Sequence, residues 1–168
     1  HGADVVVQAA TKYQGGASDL LMGAVITRDD ELFRKISMAH MRLGMGVGAD
    51  DAYLVLRSLP SMKVRFAKSG ESAMIVANWL KKRPEISKIL HPAFDDCPGH
   101  DVYRRDFTGS GGLFSFLFDE RYTEAQTDRF LETLKLFKLG FSWGGTHSLS
   151  VPYRIRSDRR DWMQRGNQ

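Results

Sequence analysis

Lys12 lies where a lysine side chain could act as a chemical group. It stands between two apolar runs, residues 5–7 and 20–26, and Gly15 and Gly16 follow it closely. We expect both runs to be buried strands, and lysine is seldom buried without a partner or a reaction to perform. Burial favours the neutral form of an amine, which is the form that attacks an aldehyde. An ordinary lysine on a surface turn is the alternative.

The neighbouring Thr11 adds a hydroxyl that suits a phosphate oxygen. Backbone amides of a tight turn could supply further donors to the same phosphate. A lysine beside such a hydroxyl, at the end of a buried strand, is typical of a pyridoxal phosphate site. Spacing alone does not decide between this hypothesis and a surface turn.

Composition and charge indicate a soluble globular protein. The 168 residues are 42% hydrophobic and 26% charged, and no apolar run approaches the roughly 20 residues that span a bilayer. The net charge of +4 comes mostly from the last 16 residues, which hold five arginines against two aspartates. Since the rest is nearly neutral and carries no recognisable binding motif, we expect neither a nucleic-acid nor a membrane partner. A single cysteine cannot form an internal disulfide, which favours a cytoplasmic location.

His91, Cys97 and His100 could be considered a metal cluster. Three candidate ligands in a loop, without a fourth, match structural zinc poorly, so we predict no metal site. Cys97 stands beside Pro98 with no activating base identifiable from the sequence, and we expect its thiol to be inert.

The first half of the chain must position Lys12. Strands are predicted at residues 5–8 and 20–26, followed by a helix capped by Thr27, with a buried face and an end at the glycines of residues 44–48. A helix over residues 49–59 should stop or kink at Pro60. A longer helix over residues 61–82 carries one apolar stripe, which indicates core packing. The stripe consists of Met62, Phe66, Ser69, Ala73, Val76 and Leu80.

The pattern changes near residue 84, where a small α/β unit should begin. Strands are predicted at residues 86–90 and 113–118, separated by a loop that is rich in proline and glycine. Thr123 opens a capping box, and the helix behind it should bury Phe130, Leu134 and Phe137. Strand, loop, strand and helix in this order favour an α/β fold.

Six blocks of sequence, in one order, resemble a known enzyme family. Gln-Ala-Ala-Thr-Lys-Tyr at residues 8–13, with Gly-Ala-Ser-Asp at 16–19, resembles the cofactor-lysine motif of the Cys/Met-metabolism pyridoxal phosphate enzymes. Ser-Trp-Gly-Gly at residues 142–145 matches the same family, and the resemblance extends to about Val151. The other matching blocks lie at residues 51–59, 91–93, 99–100 and 105–116. The chain is therefore identified as similar to that family along most of its length.

The resemblance implies roles for four residues. Lys12 would hold pyridoxal 5'-phosphate and then shuttle protons, and Thr11 would lie near the cofactor phosphate. Ser142 and Trp143 would help to hold the substrate carboxylate and line the pocket. The strings at residues 8–12 and 142–145 favour family members that cleave cystathionine to homocysteine, pyruvate and ammonia. The related γ-lyases and γ-synthases are the nearest alternatives, and a truncated product that binds no cofactor is an alternative of another class.

The resemblance also implies an architecture. A fold-type I α/β enzyme is expected, with residues 1–60 ending the large PLP-binding domain, residues 61–83 forming a connecting helix and residues 84–168 an incomplete small C-terminal domain. The intact enzyme would be a cytoplasmic homotetramer, a dimer of dimers with shared active sites. Ala17 and His147–Ser148 depart from the family pattern.

Part of the family's site has no counterpart in this sequence. The aromatic that stacks on the pyridine ring and the aspartate that pairs with its nitrogen belong to the family's N-terminal half. The arginine that grips the substrate carboxylate lies in a later segment, and we do not assign it to the arginines after Tyr153. Because the sequence begins at His1, almost directly in a strand, we expect a piece of a longer chain that is inactive alone.

Overall fold

The computed structural model describes residues 2–153, which form four helices and three two-stranded sheets. In chain order these elements are β1 (Val5–Ala9), β2 (Gly23–Thr27), α1 (Asp30–Leu43), α2 (Ala49–Leu80), β3 (Ile86–Leu90), α3 (His100–Asp106), β4 (Ser115–Phe118), α4 (Glu124–Thr133), β5 (Lys138–Leu139) and β6 (Leu149–Ser150). The expected arginine-rich tail lies outside the described residues apart from Tyr153.

β1 and β2 pair antiparallel on either side of the loop that carries Lys12, with Val7 opposite Val25. The predicted strands are therefore present, but the expected burial is wrong, because Val7 is 70% exposed and Ile26 is 54% exposed. A two-stranded ribbon cannot cover its own faces and needs a third strand or a packed layer to bury them.

α1 begins later than the sequence predicts. Its N-cap is Asp29, whose carboxylate accepts a hydrogen bond from the Leu32 amide at 2.7 Å. The predicted cap, Thr27, stays in β2 and donates to a carbonyl just before β1 at 2.8 Å. The glycine end is confirmed, since Gly44 caps the helix with a φ of 64°. No residue of α1 is fully buried, which corrects the expected buried face.

α2 is one continuous helix of 32 residues, so the expected stop at Pro60 is wrong. An internal proline removes a backbone donor and typically costs about 3 kcal/mol. Side chains add hydrogen bonds near it, since the Ser58 carbonyl accepts from Ser61 Oγ at 3.0 Å and from Arg65 Nη2 at 3.1 Å. The expected stripe is confirmed, with Ala73 and Leu80 buried and its other members half-buried.

The second half of the chain packs two strands against the end of α2. β3 and β4 are antiparallel, with Ile89 opposite Phe116, so the strand predicted at residues 86–90 is confirmed. The strand predicted at residues 113–118 begins two residues later, at Ser115. Between them lies α3, where the sequence predicts a loop rather than a helix.

α4 begins with the predicted capping box at Thr123, where both reciprocal hydrogen bonds are present. Its buried residue is Leu131, whereas Phe130, expected inside, is 39% exposed. Leu134 and Phe137 are half-buried, in line with the expectation. The expected burial is therefore wrong at Phe130, while Leu134 and Phe137 lie beyond the end of α4 at Thr133.

Within residues 2–153, two small clusters of buried side chains form the core, and α2 contributes to both. The first consists of Ala10, Leu20 and Val55, and the second of Ala77, Leu80 and Ile89. The first cluster lies beneath the loop that carries Lys12. None of the helices in residues 2–153 combines the length and apolarity needed to cross a bilayer.

Candidate functional site

Lys12 lies in a tight turn between β1 and β2. We call this turn, residues 10–16, the lysine loop. The loop is closed by backbone hydrogen bonds from Gly15 to the Ala10 carbonyl at 2.7 Å and from Gly16 to the Lys12 carbonyl at 2.8 Å. Ala10, at its start, is buried in the first core cluster. The loop is therefore anchored at its base, and its backbone direction is set by local bonds.

The Lys12 side chain is half-buried rather than buried, which corrects the expectation from the flanking apolar runs. Its Nζ donates a hydrogen bond to Ser142 Oγ at 3.0 Å and lies 4.5 Å from the centroid of the Trp143 ring. A cation over an indole face is attracted by the negative charge density of the ring. Three of the four predicted site residues thus meet at one amine, across 130 positions of sequence.

The segment that carries Ser142 and Trp143 approaches the lysine loop through a glycine. Gly144 has a φ of 75°, and a Cβ there would lie 2.9 Å from the Tyr13 nitrogen and 3.2 Å from the Lys12 carbonyl carbon. Any larger residue would push the two segments apart. The close approach is what lets the Ser142 hydroxyl reach the amine.

The fourth predicted site residue, Thr11, has a hydroxyl that is already engaged. It accepts a hydrogen bond from the Met22 amide at 3.0 Å and donates to the Met22 carbonyl at 3.3 Å. These bonds tie the lysine loop to the start of β2. Because a hydroxyl has one proton to donate, Thr11 can donate to a phosphate only by releasing the Met22 carbonyl.

Thr11 and Ser142 face an open cleft of about 480 Å³. Its wall also includes two carboxylates, those of Asp19 and Asp51, and no lysine or arginine among the described residues. The full set of lining residues is Thr11, Ser18, Asp19, Leu20, Leu21, Asp51 and Ser142. The Lys12 amine borders this cleft through its bond to Ser142.

Two residues that support the loop were not assigned a role from the sequence. The Tyr13 hydroxyl accepts a hydrogen bond from the Gly112 amide at 2.8 Å, and its ring meets Phe66 edge-on at 4.9 Å. Arg65 donates to the Tyr13 carbonyl at 2.8 Å. The sequence contains one signal for Arg65. It lies four residues after Ser61 on a helix, and side chains three or four positions apart share a helix face.

The two histidines considered as metal ligands each form a hydrogen bond with the backbone of their own loop. His91 is fully buried, and its Nδ1 accepts from the Ala93 amide at 3.1 Å, so its proton sits on Nε2. His100 Nδ1 bonds to the Pro92 carbonyl at 2.8 Å. Burial raises the pKa of the Cys97 thiol, which favours the protonated and less nucleophilic form. Residues 2–153 contain no group of three His, Cys, Asp or Glu side chains placed to hold a metal ion.

Comparison with known sequences identifies one family. Residues 1–159 match the family model described as Cys/Met metabolism PLP-dependent enzyme. The cystathionine beta-lyase of Bordetella avium is 42% identical over 88% of this chain and 37% of its own length, and that of Haemophilus influenzae is 38% identical over 89% and 37%. An L-alanine/L-glutamate racemase of Wolbachia pipientis wMel is 36% identical over 97% of this chain and 40% of its own length. The chain spans about two fifths of the length of such relatives.

Solved structures give the same result. A cystathionine gamma synthase from Xanthomonas oryzae pv. oryzae, in complex with cystathionine, superposes with a TM-score of 0.84 at 33% identity, over 89% of this chain and 38% of that one. A cystathionine gamma-lyase from Lactobacillus plantarum, complexed with L-serine, has a TM-score of 0.83 at 27% identity, over 89% and 39%. Both agree with the expected fold-type I class, while the predicted domain boundaries stay a prediction.

Proposed function

The chain belongs to the Cys/Met metabolism PLP-dependent enzyme family, and from that premise we propose that it is the part of a cystathionine β-lyase that carries the cofactor lysine. The proposed reaction consumes cystathionine and one water and gives homocysteine, pyruvate and ammonia. Two relatives at 38–42% identity are named for this activity. The observation that carries the proposal is the 3.0 Å hydrogen bond between the Lys12 amine and the Ser142 hydroxyl. This bond joins the lysine motif at residues 8–13 to the Ser-Trp-Gly-Gly motif at residues 142–145.

The described residues suit the aldehyde end of pyridoxal 5'-phosphate. A primary amine stands beside an open cleft of about 480 Å³. The cleft suits the phosphate end of the cofactor less well. Asp19 and Asp51 place negative charge on its wall, and like charges repel. Further donors for the phosphate would come from outside residues 2–153.

Each of the four residues has a proposed task. Pyridoxal phosphate, when bound, would supply an aldehyde that Lys12 holds until the substrate amine displaces it, and a ring that stabilises negative charge at the substrate Cα. Lys12 Nζ removes the Cα proton and, once protonated, can give a proton to the departing sulfur. Ser142 and Trp143 hold the amine at the edge of the cleft and line the substrate side, near the substrate carboxylate. Thr11 lies near the phosphate, where its hydroxyl donates after leaving Met22.

The wider architecture is part of the proposal. Residues 1–60 would end the large cofactor domain, residues 61–83 would connect, and residues 84–168 would form most of the small domain. Support comes from the two separate core clusters, to which opposite ends of α2 contribute. A cytoplasmic homotetramer with shared active sites would cover apolar side chains that are bare in residues 2–153, such as Phe33 at 60% and Leu43 at 70% exposure.

The first experiment tests the cofactor lysine. The full-length protein is incubated with pyridoxal phosphate, and the violet absorbance band of lysine-bound cofactor is recorded before and after borohydride reduction. We expect the band in wild type, its absence in Lys12→Ala, and covalent label on the peptide that contains residue 12. Lys63→Ala, an exposed lysine on α2, serves as the control and should keep the band. Lyase activity that survives in Lys12→Ala would overturn the assignment.

The second experiment separates β-elimination from the alternatives by product. Cystathionine cleaved at the β-carbon yields pyruvate, whereas cleavage at the γ-carbon yields 2-oxobutyrate. Release of pyruvate with homocysteine supports the β-lyase, and 2-oxobutyrate or net cystathionine synthesis supports the γ-enzymes. Loss of the α-deuterium from labelled L-alanine without any keto acid would point to the racemase.

For the isolated 168 residues we expect no violet band of lysine-bound cofactor, and a clear band would contradict that expectation.

A further inference from the structure

Arg65 makes an unusual set of contacts for an arginine in the middle of a helix. Its Nη1 donates to the Tyr13 carbonyl at 2.8 Å, and its Nη2 donates to Ser58 Oγ at 2.8 Å and to the Ser58 carbonyl at 3.1 Å. Its Nε donates to Ser61 Oγ at 3.0 Å. All these acceptors are neutral. The planar guanidinium, which has five donors in a fixed geometry, suits such an arrangement better than an ammonium does.

These contacts converge on the backbone that follows Lys12. Tyr13 accepts directly from Arg65, and Ser58, which Arg65 holds, donates from its hydroxyl to the Gly15 carbonyl. Gly16 has a φ of 78°, and a Cβ there would collide with the guanidinium. Arg65 therefore contacts or supports three of the four residues after Lys12.

The lysine loop is held from the opposite side as well. Gly144 packs against the Tyr13 nitrogen and the Lys12 carbonyl carbon. Ser142, two positions before it, accepts a hydrogen bond from the Lys12 amine. If the Arg65 side of the loop were free to shift, the Lys12 backbone could move while its amine stayed tethered. Both supports are thus needed for one fixed direction of the side chain.

We propose that Arg65 is a positioning residue that sets the direction of the Lys12 amine through the Tyr13 carbonyl and the turn at Gly16. Arg65 bonds to the backbone next to Lys12 rather than to the amine itself, so its effect passes through the loop. The inference rests on the proposed function only for its catalytic readout. Its structural readout, the protection of loop amides, does not depend on any cofactor.

The experiment uses the full-length protein with Arg65→Lys and Arg65→Met. Lys63→Met, on the exposed side of the same helix, is the control. The first measurement is hydrogen exchange in the cofactor-free protein at the Gly15 and Gly16 amides, which close the loop. We expect exchange to be about 10-fold faster or more in both Arg65 variants, because the local opening of the loop is no longer restrained, and unchanged in the control.

The second measurement follows the lysine itself. The rate at which added pyridoxal phosphate forms the violet band, and the kcat and KM for cystathionine, are compared across the variants. Since a misplacement of about 1 Å can lower a rate by about 100-fold, we expect kcat and the rate of band formation to fall by about 10- to 100-fold, with KM little changed. A purely structural role would not produce such a split between kcat and KM in a protein that still melts near the wild-type temperature.

The outcomes separate this inference from the proposed function. Unchanged exchange at residues 15 and 16 in Arg65→Lys overturns the positioning role, whatever the activity. Faster exchange together with wild-type kcat and band formation also overturns it, because the loop would then not set the amine. A wild-type protein that forms no band refutes the proposed function alone, and the exchange result still decides the role of Arg65. If Arg65→Met does not fold, Arg65→Lys, which keeps the charge and most of the volume, carries the test.

Discussion

Replacing Gly144 by alanine should separate backbone strain from contact with the lysine loop. Gly144 has a φ of 75° and a Cβ would lie 2.9 Å from the Tyr13 nitrogen, whereas Gly99 has a φ of 80° and no atom within 4 Å. Both alanines must adopt a left-handed backbone conformation, at a cost of about 1–2 kcal/mol. Only Gly144→Ala adds an overlap, and overpacking typically costs about 1–3 kcal/mol more.

The assay is thermal unfolding of the full-length cofactor-free protein, combined with the rate at which added pyridoxal phosphate forms the violet band. Gly99→Ala should lower the melting temperature slightly and leave the band rate unchanged. Gly144→Ala should lower the melting temperature further, because its total cost is about 2–5 kcal/mol when the two effects add. It should also slow band formation. The added Cβ would push against the peptide bond between Lys12 and Tyr13 and so displace the backbone that carries the lysine. Equal losses of stability and equal band rates in the two variants would refute the reasoning.

Two further predictions follow from buried ionisable groups. Burial lowers the pKa of His91 below its ordinary 6.5, so at mildly acidic pH the unfolded chain binds more protons at this residue than the folded chain does. The contribution of His91 to stability is therefore present above about pH 6.5 and declines as the pH falls. The melting temperature of His91→Leu should accordingly fall less than that of wild type when the pH is lowered from about 7.5 to about 5.5. An equal loss would contradict this account. Burial and then the charge of Asp96 raise the pKa of the Cys97 thiol, so iodoacetamide should alkylate it more slowly than free cysteine, whose pKa is about 8.5. Asp96→Asn should speed that reaction, and an unchanged rate would show that the carboxylate has no influence.

Local sequence predicted most of the elements because their signals lie within a few residues. The capping box at Thr123 and the glycine end at Gly44 satisfy hydrogen bonds by nearby groups, so no tertiary contact is needed to form them. Pro60 is the counter-example, since a rule about one residue predicted a break. The helix continues through Pro60, and beside it Ser61 and Arg65 donate hydrogen bonds to the Ser58 carbonyl.

Burial was the least predictable property. The apolar residues of β1 and β2 indicate a covered sheet, but a pattern states only that a face is suited to burial and cannot say what covers it. In residues 2–153 that face is largely open, with Val7 and Val25 more than half exposed. The half-buried state of Lys12 follows from the same cause.

By itself the sequence determined the family, because motif residues and their order are written along the chain. The roles of the lysine, the threonine beside it and the Ser-Trp pair are predictions from that family resemblance. Only the tertiary structure decided that Ser142 and Trp143 meet the Lys12 amine across 130 positions, and that Thr11 is bonded to Met22. It alone revealed the guanidinium of Arg65 against the lysine loop. The physical reason is that hydrogen bonds act over about 3 Å in space, and chain folding, not sequence distance, decides which groups come that close.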